Sequence, residues 1–164
     1  MSGDGGDPLA ARVGAALAER GLVLATAESC TGGWIAQRIT AVPGSSGWFD
    51  RAFVTYSDAA KREMLGVPGT LVEQHGAVSE PVVLAMAAGA LDRSRARVAV
   101  SVSGVAGPGG GSEAKPVGTV WIAWQHPGGT RARHFLYAGD RARIRRQATD
   151  DALEGILSLL EAGH

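Results

Sequence analysis

The run Leu22-Val23-Leu24-Ala25-Thr26-Ala27, followed at once by Glu28-Ser29-Cys30-Thr31-Gly32-Gly33, decides the fold class. A short apolar stretch suits a strand buried on both faces, and a polar, Gly-rich turn after it leads into a helix over roughly Gly33 to Ala41. A strand that hands over to a helix through such a turn is half of a crossover unit. On the amino side, Asp7-Pro8 places a capping acid before proline, and Leu9, Val13, Ala16 and Leu17 recur at helical spacing until Gly21. On the carboxyl side, Arg51 to Tyr56 reads as a strand, and Ser57 caps a helix closed at Leu65 by Gly66 and Pro68. Ser79-Glu80-Pro81 starts a further helix running to about Leu91, and Val98 to Val102 is another buried-type strand. After a Gly/Pro loop from Gly104 to Lys115, Val117 to Trp124 and Arg131 to Tyr137 flank Pro127-Gly128-Gly129 as a hairpin. Asp140 caps a last amphipathic helix. This order predicts a layered α/β/α domain with a mixed, mostly parallel sheet and an antiparallel C-terminal hairpin.

With 164 residues, one domain spanning 1–164 is expected, and residues 1–7, Gly-rich and acidic, are expected to be disordered. The 16 basic and 16 acidic side chains cancel, which argues against a general nucleic-acid or membrane-surface binder. A single Cys30 and four scattered histidines offer no metal-ligand spacing, so metal catalysis is disfavoured. The start of the chain lacks the basic and apolar regions of a signal peptide, and a cytoplasmic location follows as the expectation. Trp34, Trp48, Trp121 and Trp124 read as core or interface residues; Trp48 and Phe49, beside Gly47, are candidates for the interface of a homo-oligomer.

Of the 16 basic residues only Lys61 and Lys115 are lysines. Arginine stays protonated, whereas a desolvated lysine can lose its proton and act as a base. Lys61 lies one turn into the helix capped by Ser57, so a Ser-Lys pair is open to it, with a surface lysine as the plain alternative. Three Gly-rich turns, 29–33, 44–47 and 104–111, are read as following strands, where backbone N-H groups face anions. None is followed by the Lys-Ser/Thr of a P-loop and none fits G-x-G-x-x-G. Ser29, Cys30, Thr31, Ser46, Ser57 and Ser103 are the available nucleophiles. Arginines crowd between Arg131 and Arg146; most suit a solvated face, and Arg141 or Arg145 in the first turn of the last helix can clamp one phosphate or carboxylate.

Ala27-Glu28-Ser29-Cys30-Thr31-Gly32-Gly33, Gly47-Trp48-Phe49, Val54-Thr55-Tyr56-Ser57-Asp58 with Lys61, Gly76-Ala77-Val78-Ser79, Ser103-Gly104-Val105-Ala106-Gly107-Pro108-Gly109-Gly110, Lys115-Pro116-Val117-Gly118-Thr119-Val120 and Gly139-Asp140-Arg141 occur in fixed order. Together they resemble the CinA carboxyl-terminal domain family, from about Leu9 to Leu160. The resemblance implies a stand-alone nicotinamide-nucleotide amidase: hydrolysis of nicotinamide mononucleotide to nicotinate mononucleotide and ammonia, in pyridine-nucleotide salvage, with a small-molecule substrate and no cofactor. It implies Ser29 as nucleophile and Lys61 as general base, Tyr56 and Ser103 orienting them, and Ser46 as the second choice of nucleophile. Thr31, Gly32 and Gly33 are then expected to offer backbone N-H groups to an oxyanion, and Gly104, Arg141 and Arg145 to hold the substrate's phosphate. The rival readings are a noncatalytic binding domain associated with competence and DNA damage, and an amidase for another small amide.

Overall fold

The computed structural model describes residues 6–162. Helix α1 (Pro8–Glu19) opens as its sequence requires, with the Asp7 carboxylate accepting the Ala10 amide at 3.1 Å and proline at the first helical turn. Strand β1 (Leu24–Glu28) and α2 (Trp34–Thr40) follow, then a short 3-10 turn (Ser45–Gly47) and β2 (Phe49–Val54). Next come α3 (Asp58–Leu65), α4 (Gly69–His75), α5 (Glu80–Asp92) and β3 (Val98–Gly104). The hairpin β4 (Thr119–His126) and β5 (Gly129–Leu136) leads to α6 (Arg141–Ala162). Of the expected disordered segment 1–7, residues 1–5 lie outside those described. Asp7 is fixed both by its cap and by the Arg38 side chain, whose Nε donates to it at 2.6 Å.

The sheet runs in the order β2-β1-β3-β4-β5, with β2, β1 and β3 parallel and the last two pairings antiparallel. Four strands therefore point one way and only β4 opposes them, which is the mixed, mostly parallel sheet that the alternation of elements predicts. Strand alternation divides the core into two. Leu24, Val98, Val100, Val102, Val120, Ile122 and Trp124 face α1, α2 and α6, while Ala25, Ala27, Ala99 and Ala123 face α5 and the α3 end of the molecule. The second face is made of small residues, and α5 sits close to it. The same closeness recurs between helices: a Cβ on Gly89 of α5 would meet the Leu65 carbonyl of α3 at 2.0 Å.

Trp124 anchors the first face. It is buried, donates its indole N-H to the Ala152 carbonyl at 2.9 Å, and fills the space left by Gly155, where any Cβ would stand 2.1 Å from its ring. Trp48 is also core: buried, with its ring against Gly14 of α1, which is the core alternative of the two readings offered for it. Phe49 packs partly buried against the same cluster. Helix α4 is absent from the sequence expectations. It starts at Pro68-Gly69 with no side-chain cap and buries no residue fully, so neither a capping signal nor an apolar stripe marks it. No described helix is long and apolar enough to cross a membrane.

Candidate active site

In a parallel sheet the residues after each strand gather at one edge, and here β1, β2 and β3 deliver Ser29, Thr55-Tyr56 and Ser103-Gly104 to that edge. Glu28 pairs with Val102, and the Ser29 amide continues the ladder to the Val102 carbonyl at 3.1 Å, so Ser29 falls beside Ser103 on the α5 face. Beyond the same strand end, α3 supplies Lys61. Ser57 accepts the Ala60 amide and fixes the start of α3, so that Lys61, one turn in, points inward.

The Lys61 amine lies 3.0 Å from the Ser29 hydroxyl oxygen, 2.9 Å from the Thr55 carbonyl and 3.3 Å from the Tyr56 carbonyl. Ser29 in turn donates to the Tyr56 carbonyl at 3.4 Å. Lys61 is 1% exposed, and no carboxylate pairs with it among the described residues. Burial pushes the amine below its ordinary value of 10.5, with Asp58 and then Cys30 opposing weakly. A buried, unpaired amine at hydrogen-bond distance from a serine is the arrangement of a nucleophile and its base. The surface-lysine alternative does not describe Lys61.

Tyr56 takes part through its backbone. The residue is 62% exposed, and its phenol accepts a hydrogen bond at 3.2 Å from Arg141, whose other terminal nitrogen donates to the Gly107 carbonyl at 2.7 Å. Arg141 thus ties the loop after β3 to the segment after β2, at the rim of the site. Arg145 turns the other way. It donates to the Cys30 carbonyl at 2.9 Å and the Thr31 carbonyl at 3.2 Å, and its guanidinium lies 5.5 Å from the Trp34 ring centroid. Two of its nitrogens are spent on holding the turn that follows Ser29. Ser103 is 1% exposed beside Ser29, and Gly104 is small by necessity, since a Cβ there would stand 2.6 Å from Val120 and 3.2 Å from the Cys30 sulfur.

Two expectations need correcting. The 44–47 turn joins α2 to β2 and therefore precedes a strand; Ser46, exposed, sits at the amino edge of the sheet, across the length of β1 from Ser29. Within this chain Ser46 belongs neither to the surroundings of Ser29 nor to a binding site shared with them. Nor do the amides of 31–33 form a free row. The Gly32 amide donates to the Ser29 carbonyl at 3.0 Å, and the Gly33 amide to the Glu28 carboxylate at 3.1 Å. Of that expected row only the Thr31 amide has neither a backbone nor a side-chain acceptor among the described residues, and the Cys30 amide before it is in the same position.

The residue that the sequence reading passed over is Glu28. It is fully buried, and its carboxylate accepts from five groups: the Thr26 and Thr31 hydroxyls at 3.2 and 2.7 Å and the Gly33, Ile35 and Ala36 amides at 3.1, 3.0 and 2.9 Å. An acidic residue directly after an apolar strand and before a helix is the signal that could have found it. No grouping of three or more His, Cys, Asp or Glu side chains suited to a metal ion occurs among the described residues.

A three-layer α/β domain with a buried serine–lysine pair at the carboxyl edge of its parallel strands defines the class of protein. The family follows from comparison: residues 6–160 match the model of the CinA C-terminal domain, and the chain belongs to that family. It is 57% identical over 147 residues to the nicotinamide-nucleotide amidohydrolase PncC of Escherichia coli K12, covering 89% of each chain. It is 61% identical over 142 residues to a CinA-like protein of Akkermansia muciniphila, of which it spans 34%. Among solved structures, the competence/damage inducible protein CihA of Agrobacterium tumefaciens superposes with a TM-score of 0.90 at 47% identity, covering 92% of this chain and 93% of that one.

Proposed function

We propose that this chain is a nicotinamide-nucleotide amidohydrolase, converting nicotinamide mononucleotide and water to nicotinate mononucleotide and ammonia. The observation that carries the reading is the 3.0 Å contact between the buried Lys61 amine and the Ser29 hydroxyl, in a chain 57% identical to an enzyme of that name. The neutral amine takes the Ser29 proton as the serine oxygen bonds to the carboxamide carbon. The negative charge that develops on the carboxamide oxygen faces the Cys30 and Thr31 amides. As the tetrahedral intermediate collapses, the C–N bond breaks and Lys61 returns the proton to the departing ammonia. Water then attacks the acyl-serine, the same amine removing its proton, and nicotinate mononucleotide leaves with Ser29 restored.

The nucleotide's phosphate is assigned to Arg141, on the rim and held only by a carbonyl and a phenol, in preference to Arg145, whose hydrogen bonds go to the nucleophile's turn. Ser103, beside Ser29, and the backbone of Tyr56 orient the pair. The reaction needs no cofactor. The chain acts as one catalytic domain, in the cytoplasm, without nucleic-acid partners, and its copies associate.

Ammonia release from the purified chain, without added metal, tests the reading. Turnover of the mononucleotide well above that of the riboside and of free nicotinamide is expected, and Arg141→Ala should raise the KM for the mononucleotide alone. No turnover of any of the three would favour a noncatalytic binding domain, a reading to which the competence-related names of several relatives lend themselves. Equal turnover of all three would remove the phosphate assignment.

A further inference from the structure

We infer that Glu28 is a positioning residue for this reaction: its buried carboxylate clamps the Ser29 turn onto α2 and, in doing so, leaves the Cys30 and Thr31 amides as the turn's only donors for the substrate. The inference rests on the proposed role of Ser29. Glu28 precedes the nucleophile in β1, so its side chain leaves the opposite face of the strand, toward α2. All five of its partners donate and none accepts, which is the environment an acceptor-only carboxylate requires. Three of the five donors are amides from the first turns of α2, whose partial positive charge favours an anion there.

The geometry has two consequences for catalysis. First, Oε1 gathers Thr31, Gly33 and Ile35 at once, so the chain from the nucleophile to the first turn of α2 is drawn to one atom. Any shift of that turn moves Ser29 relative to Lys61, which is set independently by α3 and the Thr55 carbonyl. Second, the Gly33, Ile35 and Ala36 amides at the start of α2 are already spent on Glu28. Charge on the substrate must be met by arginines, and the oxyanion by the two amides nearest the nucleophile. Arg145 completes the clamp from the other side. It holds the Cys30 carbonyl, and in a trans peptide that turns the Thr31 N-H away from Arg145.

The test uses the full chain. Glu28→Gln keeps the shape and retains one acceptor oxygen, but turns a donor toward the Thr26 hydroxyl and the Ala36 amide. Steady-state ammonia release from nicotinamide mononucleotide and amide hydrogen exchange are measured on the same folded preparation. The expected result is a fall in kcat of about tenfold or more with KM changed less than about threefold, since the turn is displaced while binding groups on α6 stay. Exchange at Gly33, Ile35 and Ala36 accelerates, while β3 and α5 keep their protection. Should this variant fail to fold, Thr31→Val, which removes one hydroxyl tether, carries the same test, with the same split between kcat and KM at smaller amplitude. A folded variant with kcat within twofold of wild type, or with unchanged exchange at those amides, overturns the inference. Absence of turnover in the wild type together with accelerated exchange in the variant would overturn the function and leave the clamp standing.

Discussion

Replacing Lys61 by arginine keeps a positive charge but removes the one property the proposed reaction needs, a nitrogen that can become neutral. A guanidinium cannot accept the Ser29 proton at any working pH. Loss of a positioned general base costs about 10² to 10⁴ in rate, or roughly 3 to 5 kcal/mol of transition-state stabilisation at about 1.4 kcal/mol per decade. A larger group in a site that is 1% exposed adds about 1 to 3 kcal/mol of folding cost from overpacking. Lys61→Met separates the two effects, being similar in length and free of charge. Both variants should lose activity by at least a hundredfold in an ammonia-release assay, with circular dichroism showing a folded Lys61→Met. The wild-type profile of kcat/KM should rise with pH as the amine gives up its proton, with its midpoint below 10.5. Stability should rise from that lowered midpoint up to about 10.5, because the unfolded chain, with its ordinary amine, holds the proton to higher pH than the folded one; Lys61→Met should abolish that slope. Lys115→Arg is the control: Lys115 is partly exposed, donates to the His75 carbonyl at 2.6 Å and lies outside the site, so most turnover should remain. A Lys61→Arg enzyme within tenfold of wild type would refute the assignment of the base.

Gly89→Ala should destabilise the chain by roughly 1 to 3 kcal/mol, because its Cβ would stand 2.0 Å from a backbone carbonyl that can yield only by moving α3; urea unfolding with an unchanged m-value measures it. Arg38→Ala should cost about 1 kcal/mol at neutral pH, since Arg38 joins Asp7 of the α1 cap to Asp150 of α6. Arg38 holds the Asp7 carboxyl below its ordinary 3.8, so that contribution is present above pH 3.8 and fades as pH falls through the lowered value; stability curves of wild type and variant should converge there. Burial pushes the Cys30 thiol up to about 11, so iodoacetamide at pH 8 should leave native protein largely unmodified and label it rapidly in denaturant.

Most of the fold was legible because its signals are local. Asp7-Pro8, Ser57, Ser79-Glu80-Pro81 and Asp140 each mark a helix start within a few residues, and each helix begins there. Lys61 was legible as the proposed base by contrast, as one of two lysines in an arginine-rich chain. What failed were statements about which end of the sheet a loop occupies. Ser46 and Ser29 both lie in short turns with glycine, but a turn before a parallel strand and a turn after one stand at opposite edges. Strand polarity, already implied by the expected order, would have separated them. Likewise free amides at 31–33 were assumed from glycine content, whereas the Gly32 and Gly33 amides are taken by a carbonyl three residues earlier and by the carboxylate of Glu28. A buried acid reads as an ordinary polar turn residue until its donors are seen.

The proposed nucleophile and base ride on parts of the molecule with different mechanical standing. Ser29 extends from β1, which is buried at every position and flanked by a strand on either side. Lys61 belongs to β2-α3, an edge strand with no fully buried residue and a helix that buries only Lys61 and Leu65. Segments packed this thinly open before the interior does. A small excursion of the margin separates amine from hydroxyl while the centre stays folded, so the catalyst goes dark by losing its margin well before it loses its shape.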